Sequence, residues 1–443
     1  MLKQYSEYKD SEIEWLGQVP KDWSIKRLKF VADINPSRTD GMDDSTQCVF
    51  IPMEAMNNDG TFDQSVQRPL SEVKTGFTCF AKDDVIFAKI TPCFENGKGA
   101  LLSKLETDVG FGSTEFHVLR IRKGKTAPRF LYYLTVSGAF RRLGEAFMQG
   151  VAGQKRVTND FVRDFITGIP SPVVQDKIAD FLDKKTSQID ALITKKERMI
   201  ELLKEERAAV INQAVTKGLD HKAGMKESGI SWLGEIPVHW ELKKLKYLSK
   251  KMGSGITPSG GASVYLTKGI PILRSQNIHF DGLRMDDVAY ISDDMHKAMS
   301  ATRVLLGDVL LNITGASIGR CNYWREDREA NVNQHVCIIR PTPKTSTKFL
   351  YFSLSSEVGQ RQIDLSQNGV SREGLNCEDL GKFLIPFSGI NEQEDIVTFL
   401  EYKTSQIDAQ ILREKKSIEL LKEYRTALIS EAVTGKIDVR NDK

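Results

Sequence analysis

Long apolar runs are missing from this chain. No stretch approaches the roughly 20 residues that a membrane-spanning helix needs. The opening residues, MLKQYSEYKDSEIEW, are charged and carry no apolar core of a signal peptide. Both observations point to a cytoplasmic protein. Cysteine is scarce as well: six residues, Cys48, Cys79, Cys93, Cys321, Cys337 and Cys377, are spread over 443 positions. They show no C-x-x-C spacing and no histidine at zinc-finger distance, so they read as reduced, mostly buried thiols, and no metal site is expected. An excess of one charge is also absent. The formal net charge of +3 neither demands nor forbids nucleic acid, because local patches matter more than the sum.

Catalytic signatures are equally thin. No proline is followed by aspartate, so the usual nuclease core motif is not visible. There is no N-P-P-[FY] of the kind that holds an amino group for methylation; Asn35-Pro36-Ser37 falls short. Gly110-Phe111-Gly112 precedes a strand-like run rather than a helix, which argues against a cofactor loop. Gly124-Lys125-Thr126 lacks the earlier glycine of a phosphate loop, where Leu119 stands, and Pro128 follows closely. The six histidines are scattered. His117 and His335 lie in matching strand-like words and read as structural or base-contacting, not catalytic.

What the chain does have is a duplication. FLDKKTSQIDALITKKERMIELLKEERAAVINQAVTKGLD, from Phe181 to Asp220, returns from Phe399 to Asp438 with more than half of its positions identical. Trp15-Leu16-Gly17-Gln18-Val19-Pro20 returns as Trp232-Leu233-Gly234-Glu235-Ile236-Pro237. No Pro or Gly interrupts Val173 to Lys217 or Asn391 to Thr434. Ile178, Leu182, Ile189, Ile193, Ile200, Leu203, Ile211 and Ala214 recur at helical spacing, and so do Ile396, Leu400, Ile407, Ile411, Ile418, Leu421, Ile429 and Ala432. Gly218 and Gly435 stand where a helix terminator is expected. Each helix reaches roughly 60 Å at about 1.5 Å per residue. A one-sided stripe of that length needs a partner, and the other copy supplies it as an antiparallel coiled coil.

The chain therefore divides into residues 1–170, a variable block with an N-terminal anchor; 171–220, a long helix; 221–390, a second variable block; and 391–443, a second long helix. The anchor comprises Trp15, Leu16, Val19, Pro20, Trp23, Leu28 and Phe30, with its twin at Trp232, Leu233, Ile236, Pro237, Trp240, Leu245 and Tyr247. Residues 221–231 read as a linker. Strand signals run from Asp84 to Ile90 and from Phe116 to Ile121, and a helix is expected after Pro128. Gly307-Asp308-Val309-Leu310-Leu311-Asn312 and Asn333-Gln334-His335-Val336 echo them in the second block. The fold class is α/β (mixed α+β): a tandem duplication of two domains with one frame and different loops, which suggests one task performed on two targets.

Loop residues suited to reading bases are better represented than catalytic ones. Lys89, Thr91, Asn96 and Lys98 lie beside glycine turns and Phe94; Asn312, Thr314, Ser317 and Arg320 occupy the corresponding stretch of the second block. Asn, Arg and Lys make bidentate contacts to base edges, and Ser or Thr contact bases or phosphates. Gln154, Lys155 and Arg156, and Arg372 in the second block, add polar and cationic groups suited to phosphate near the block ends.

The order W-L-G-x-x-P-x-x-W, variable block, then a helix with T-S-Q-I-D and E-L-L-K-E resembles the specificity subunit of a type I restriction–modification enzyme over essentially the whole chain. Ile90–Ala100, Gly112–Arg120, Asn312–Arg320 and Asn331–Pro341 look like target-recognition motifs of that family, which adds Ser113, Thr114, Asn333, Gln334 and His335 to the DNA-binding candidates. The resemblance implies a non-catalytic chain whose variable blocks each read half of a split double-stranded DNA site. It implies helices that set the spacing and dock modification subunits, two of them. The partners would carry S-adenosylmethionine and methylate adenine, while restriction (motor) subunits would use ATP and Mg. No cofactor and no metal is expected on this chain. A self-contained DNA methyltransferase or nuclease, and a protein-interaction scaffold, are the competing readings.

Overall fold

The computed structural model describes residues 3–36, 42–151, 153–367 and 374–440. The chain forms two compact units. One comprises Met1–Glu197 with Lys415–Lys443, the other Arg198–Glu414.

In the first unit one sheet has the strand order Ala32–Ile34, Phe116–Ile121, Val85–Ala88, Gly99–Leu101, antiparallel throughout. A second has the order Gln67–Pro69, Gln47–Ile51, Val109–Gly112, Thr78–Ala81, with Val109–Gly112 parallel to Gln47–Ile51. Ile86, Phe116 and Val118 of the first sheet share one core with Val49, Ile51 and Phe80 of the second. Gly110 and Gly112 permit that packing. A Cβ on Gly110 would run into the Phe80 ring, and one on Gly112 into the Ile51 carbonyl. The G-x-G is therefore a packing feature.

The second unit repeats the plan. One sheet is ordered Ser249–Ser254, Val336–Pro341, Val309–Asn312, Cys321–Tyr323; the other is Ala289–Ile291, Ile270–Leu273, Ala330–Val332, Arg303–Val304. Here the two-residue period of a strand sorts side chains between two cores. Leu310, Val336 and Ile338 face the second sheet. Val309, Leu311, Cys337 and Ile339 face the helices, including Ile211 and Ala214 of the first long helix and Ile396 and Leu400 of the second.

The long helices are Pro172–Lys217 and Ile390–Val433. Each apolar position named for their stripes is buried, except Leu421, which is half-buried. Arg425 Nε donates to Asp190 Oδ1 at 2.9 Å within the first unit, and Arg207 Nε to Asp408 Oδ1 at 2.9 Å within the second. Asp190 and Asp408 close the two T-S-Q-I-D words, so each copy contributes its aspartate to one unit and its arginine to the other. The pair is antiparallel. A buried glutamine fixes each helix start. Gln175 Oε1 accepts from Ala127 N at 2.7 Å while its Nε2 donates to Pro170 O at 2.9 Å. Gln393 does the same with Ser346 N at 2.9 Å and Ser388 O at 2.8 Å.

Two expectations need correction. Phe30 and Tyr247, grouped with the buried anchors, are exposed, whereas Trp23 and Trp240 are buried. Phe30 and Tyr247 lie just past the point where the anchor strands Ser24–Arg27 and Glu241–Lys244 pair with Ile166–Ile169 and Leu384–Phe387. Residues 221–231 are more than a linker: Met225–Glu227 pairs with Glu235–Pro237, as Tyr8–Asp10 pairs with Gln18–Pro20. Among the described residues no helix is long and apolar enough to cross a membrane.

Both long helices end on a left-handed glycine, Gly218 at φ +71° and Gly435 at φ +73°. A Cβ on Gly435 would also overlap Pro20 Cδ, whereas one on Gly124, at φ +75°, would meet open space. Gly124→Ala is expected to lose only the backbone term of about 1–2 kcal/mol. Gly435→Ala should lose more, about 1–3 kcal/mol further for the overlap. Urea unfolding followed by tryptophan fluorescence compares the two; equal midpoints would refute the assignment.

Candidate nucleic-acid interface

In the first unit, three of the segments singled out in the sequence converge at the end of strand Val85–Ala88. Lys89 N donates to Glu115 O at 2.8 Å, Thr91 N to Lys155 O at 2.9 Å, and Val157 N to Lys89 O at 2.8 Å. The loop from Lys89 to Lys98, the turn at Ser113 and Thr114, and the segment Gln154 to Arg156 thus form one patch. Several candidates spend their side chains inside it. Arg156 grips Glu115 through Nε at 2.9 Å and Nη2 at 2.8 Å, which holds the Glu115 carboxyl below the usual carboxylate range. Lys98 Nζ donates to Met53 O at 3.0 Å, Thr91 Oγ1 to Glu95 Oε1 at 2.8 Å, and Ser113 Oγ accepts from Glu115 N at 3.2 Å. Asn96, Thr114, Gln154 and Lys155 are exposed, and Lys89 is half-buried.

The second unit builds its patch the same way. Asn312 N donates to Arg320 O at 2.8 Å, Ile313 N to His335 O at 3.0 Å, and Leu375 N to Ile313 O at 2.8 Å. His335 Nε2 lies 2.8 Å from the Gln334 amide nitrogen, which can only donate, so Nδ1–H donates to Thr314 Oγ1 at 2.6 Å. Two candidates turn inward, contrary to the expectation that their amides face a base. Asn312 is 0 % exposed, and its Nδ2 donates to Ser275 O at 2.8 Å. Asn333 is buried and accepts from His335 N at 3.2 Å. For Asn312 the reason is its place in the sheet: it ends strand Val309–Asn312, paired with Val336 and closed on both faces. Arg320 is half-buried and its guanidinium, among the described residues, has no hydrogen bond or ion pair; Ser317 is half-buried beside it. Arg372 lies outside the described residues.

The expectation that His335 lies within the strand matching that of His117 also needs correction. His117 pairs with Phe87 in the strand ladder, and the residue at that register in the second unit is Cys337, opposite Leu311. His335 precedes its strand. His117 is buried; Nε2–H donates to Val157 O at 2.9 Å and Nδ1 accepts from Asn35 Nδ2 at 3.2 Å. Burial pulls its pKa down to about 4, so the ring is neutral at neutral pH and acts as a hydrogen-bond node.

Residue types alone did not single out the contacts that hold each strand pair and its loops. Arg120 clasps Asp84 through Nε at 2.9 Å and Nη2 at 2.7 Å, and Arg340 clasps Asp308 at 2.7 Å through both. Both aspartates are buried. From the helix below, Arg141 Nη1 donates to Phe94 O at 2.9 Å with its guanidinium 4.7 Å from the Phe94 ring, and Gln360 Nε2 donates to Gly319 O at 3.0 Å. The signal available in the sequence was positional: Asp84-Val85 and Asp308-Val309 are the same word of the repeat. Among the described residues no group of three or more His, Cys, Asp or Glu is placed to hold a metal ion.

The depressed pKa of His117 sets a pH dependence. The unfolded chain takes up a proton near pH 6.5, whereas the folded protein does so only near pH 4. Stability is therefore full above that upper value and falls as pH is lowered between the two. Between about pH 7.5 and about pH 5 the loss is expected to be about 1–2 kcal/mol. His117→Gln should flatten that part of the stability–pH curve. Urea denaturation at the two pH values checks it; an unchanged slope in the variant would count against a buried neutral His117.

Comparison with known proteins agrees with this duplicated geometry. The family model described as the type I restriction modification DNA specificity domain matches residues 20–202 and again 237–421. The type I restriction enzyme EcoEI specificity subunit of Escherichia coli is 35% identical over 184 residues, 41% of this chain and 31% of that protein. The EcoAI specificity subunit, also of Escherichia coli, is 38% identical over 169 residues, 38% of this chain and 28% of that protein. The chain spans about a third of the length of these curated relatives. A solved chain from a study of complex assembly and conformational transition of the type I R-M system shares the fold, with a TM-score of 0.71 over 94% of this chain and 98% of that one at 19% identity. With one family model matched twice, once on each variable block and the long helix after it, this chain belongs to the type I restriction modification DNA specificity domain family.

Proposed function

We propose that the chain is the non-catalytic specificity subunit of a type I restriction–modification complex, each unit reading one half of a split double-stranded DNA site. The observation that carries this reading is the pair of patches. Both stand at the same end of the same strand pair, which a buried Asp–Arg clasp closes at its other end, yet they present different side chains. Asn96, Thr114, Gln154 and Lys155 are exposed in the first unit, and the half-buried Arg320 and Ser317 stand in the second. The frame is fixed and the reading surface differs, as two different half-sites require. The long helices set the distance between half-sites and dock two modification subunits. Exposed apolar side chains remain along them for that purpose: Leu192, Leu420 and Tyr424 in the first unit, Met199, Leu202 and Leu412 in the second. S-adenosylmethionine belongs to the modification subunits, and ATP with Mg to the motor subunits. Neither the self-contained enzyme nor the pure protein scaffold has an observation in its favour.

Exchange of residues 31–170 for the corresponding block of another family member, in the assembled complex, should change one half of the methylated sequence and leave the other. Sequencing of methylated adenines reads this directly, and a change in both halves would defeat the modular reading. At single positions, Arg320→Ala should relax base preference in the second half-site by about 1–3 kcal/mol. Lys155→Ala should weaken binding evenly across sequences and flatten its salt dependence. Competition binding with altered half-sites separates the two. If Arg320→Ala weakened all sequences alike, that arginine would be a phosphate contact.

A further inference from the structure

Where the first unit fastens its patch with a polar triad, the second has a pair of thiols. In the first unit Asn35 Nδ2 donates to Asn159 Oδ1 at 2.8 Å and lies 3.2 Å from His117 Nδ1. Asn159 begins the short helix Asn159–Asp164, capped by Thr158. In the second unit the helix at the corresponding place is Cys377–Gly381, capped by Asn376. Cys377 thus stands in the position of Asn159, and Cys337 stands at the strand register of His117. Their sulfurs are 3.6 Å apart.

We infer that Cys337 and Cys377 form a reversible disulfide, a modification site that fastens helix Cys377–Gly381 to the strand Val336–Pro341. The two groups are unequal in the way the chemistry needs. Cys377 is half-exposed and Cys337 is buried. The hydrogen bond from Cys337 and a second from the Ser254 backbone bring the Cys377 thiol below its ordinary value, despite its partial burial, whereas the same hydrogen bond and burial hold Cys337 above its own. Cys377 is the attacking thiolate and Cys337 the resolving thiol.

With a peroxide as two-electron oxidant, the Cys377 thiolate attacks one peroxide oxygen. The O–O bond breaks, leaving a sulfenic acid and hydroxide, which a proton converts to water. Cys337 sulfur then attacks the Cys377 sulfur, its S–H proton leaving with the sulfenic hydroxyl as a second water. Two thiols are oxidised and one peroxide is reduced. Closure requires the sulfurs to approach by about 1.5 Å, to the usual S–S bond of about 2.05 Å. The movement falls at the start of a five-residue helix and not within the sheet. It also acts next to the patch, because Leu375, two residues before Cys377, donates its N–H to Ile313 O at 2.8 Å. Any effect on reading the second half-site rests on the function proposed above; the bond itself does not.

The full-length protein is treated with hydrogen peroxide, quenched by alkylation, digested without reductant and analysed by mass spectrometry. The expected product is one cross-linked peptide pair joining Cys337 to Cys377, two hydrogens lighter than the separate peptides and abolished by dithiothreitol. Cys321, fully buried with its thiol held well above the ordinary range by desolvation, stays reduced and is the internal reference. Cys377→Ser should give no cross-link, with Cys337 left unmodified. Accumulation of sulfinic acid on Cys377 without the cross-link, or alkylation of both cysteines after oxidation of Cys48 or Cys93, overturns the inference. The readout is a mass, so it fails or succeeds independently of whether the chain reads DNA.

Discussion

An apolar stripe running the length of a helix cannot be left in water, and this chain satisfies that constraint with its own second copy. Each long helix starts in one unit and finishes in the other, so each unit takes its helical layer from both halves of the chain. Burying a single isoleucine or leucine contributes about 1.5–3 kcal/mol, and fifteen of the sixteen stripe positions are buried. The ion pairs Asp190–Arg425 and Arg207–Asp408 are partly exposed and worth at most about 1 kcal/mol each. Their role is to fix register: the apolar stripe sets how much is buried, and the charged pair sets which turn faces which.

That division explains what could be read from the sequence. The helices were legible because a 3.6-residue period over forty residues has no other solution, and because Gly218 and Gly435 mark where it stops. Strand positions were legible too, since Val85-Ile86-Phe87 and Val309-Leu310-Leu311 repeat as words. Side-chain direction at the strand ends was not. Asn312 and Arg320 are both polar, both near the same turn and both suited to reading bases; the first is buried because its strand is closed on both faces, and the second, just outside a strand, is half-buried with its guanidinium available. The two histidines differ as well: the words that hold them match, but His335 precedes its strand, and Cys337 stands at the register of His117.

The Asp–Arg clasps at the far end of each strand pair were the least visible part, because they act through buried charge. Asp84 and Asp308 lie in the core, where an unpaired carboxylate is untenable, and each is answered by both nitrogens of one arginine and by a backbone N–H, that of Ala81 or Leu305 at 2.7 Å. Loss of one partner from such a pair typically costs about 3–5 kcal/mol. The Asp–Arg pair ties strand Val85–Ala88 to Phe116–Ile121 in one unit and Val309–Asn312 to Val336–Pro341 in the other. Those strands carry the candidate loops at their other ends, so the clasp fixes the strand pair from which both loops leave.

A rigid support is what permits the surface to vary. Were the loops held by their own packing, each new set of exposed residues would need a new core. Here Arg141 and Gln360, different in chemistry, perform the same task of holding a loop carbonyl from below. Likewise the node formed by Asn35, His117 and Asn159 in one unit is formed by Cys337 and Cys377 in the other. The two units keep the strand order, the Asp–Arg clasp and the helix-start glutamine, and differ at positions one layer further out. Divergence therefore begins at the fastening layer and widens at the surface. A chain built by duplication can acquire two readings in this way without disturbing the helix pair that both units share.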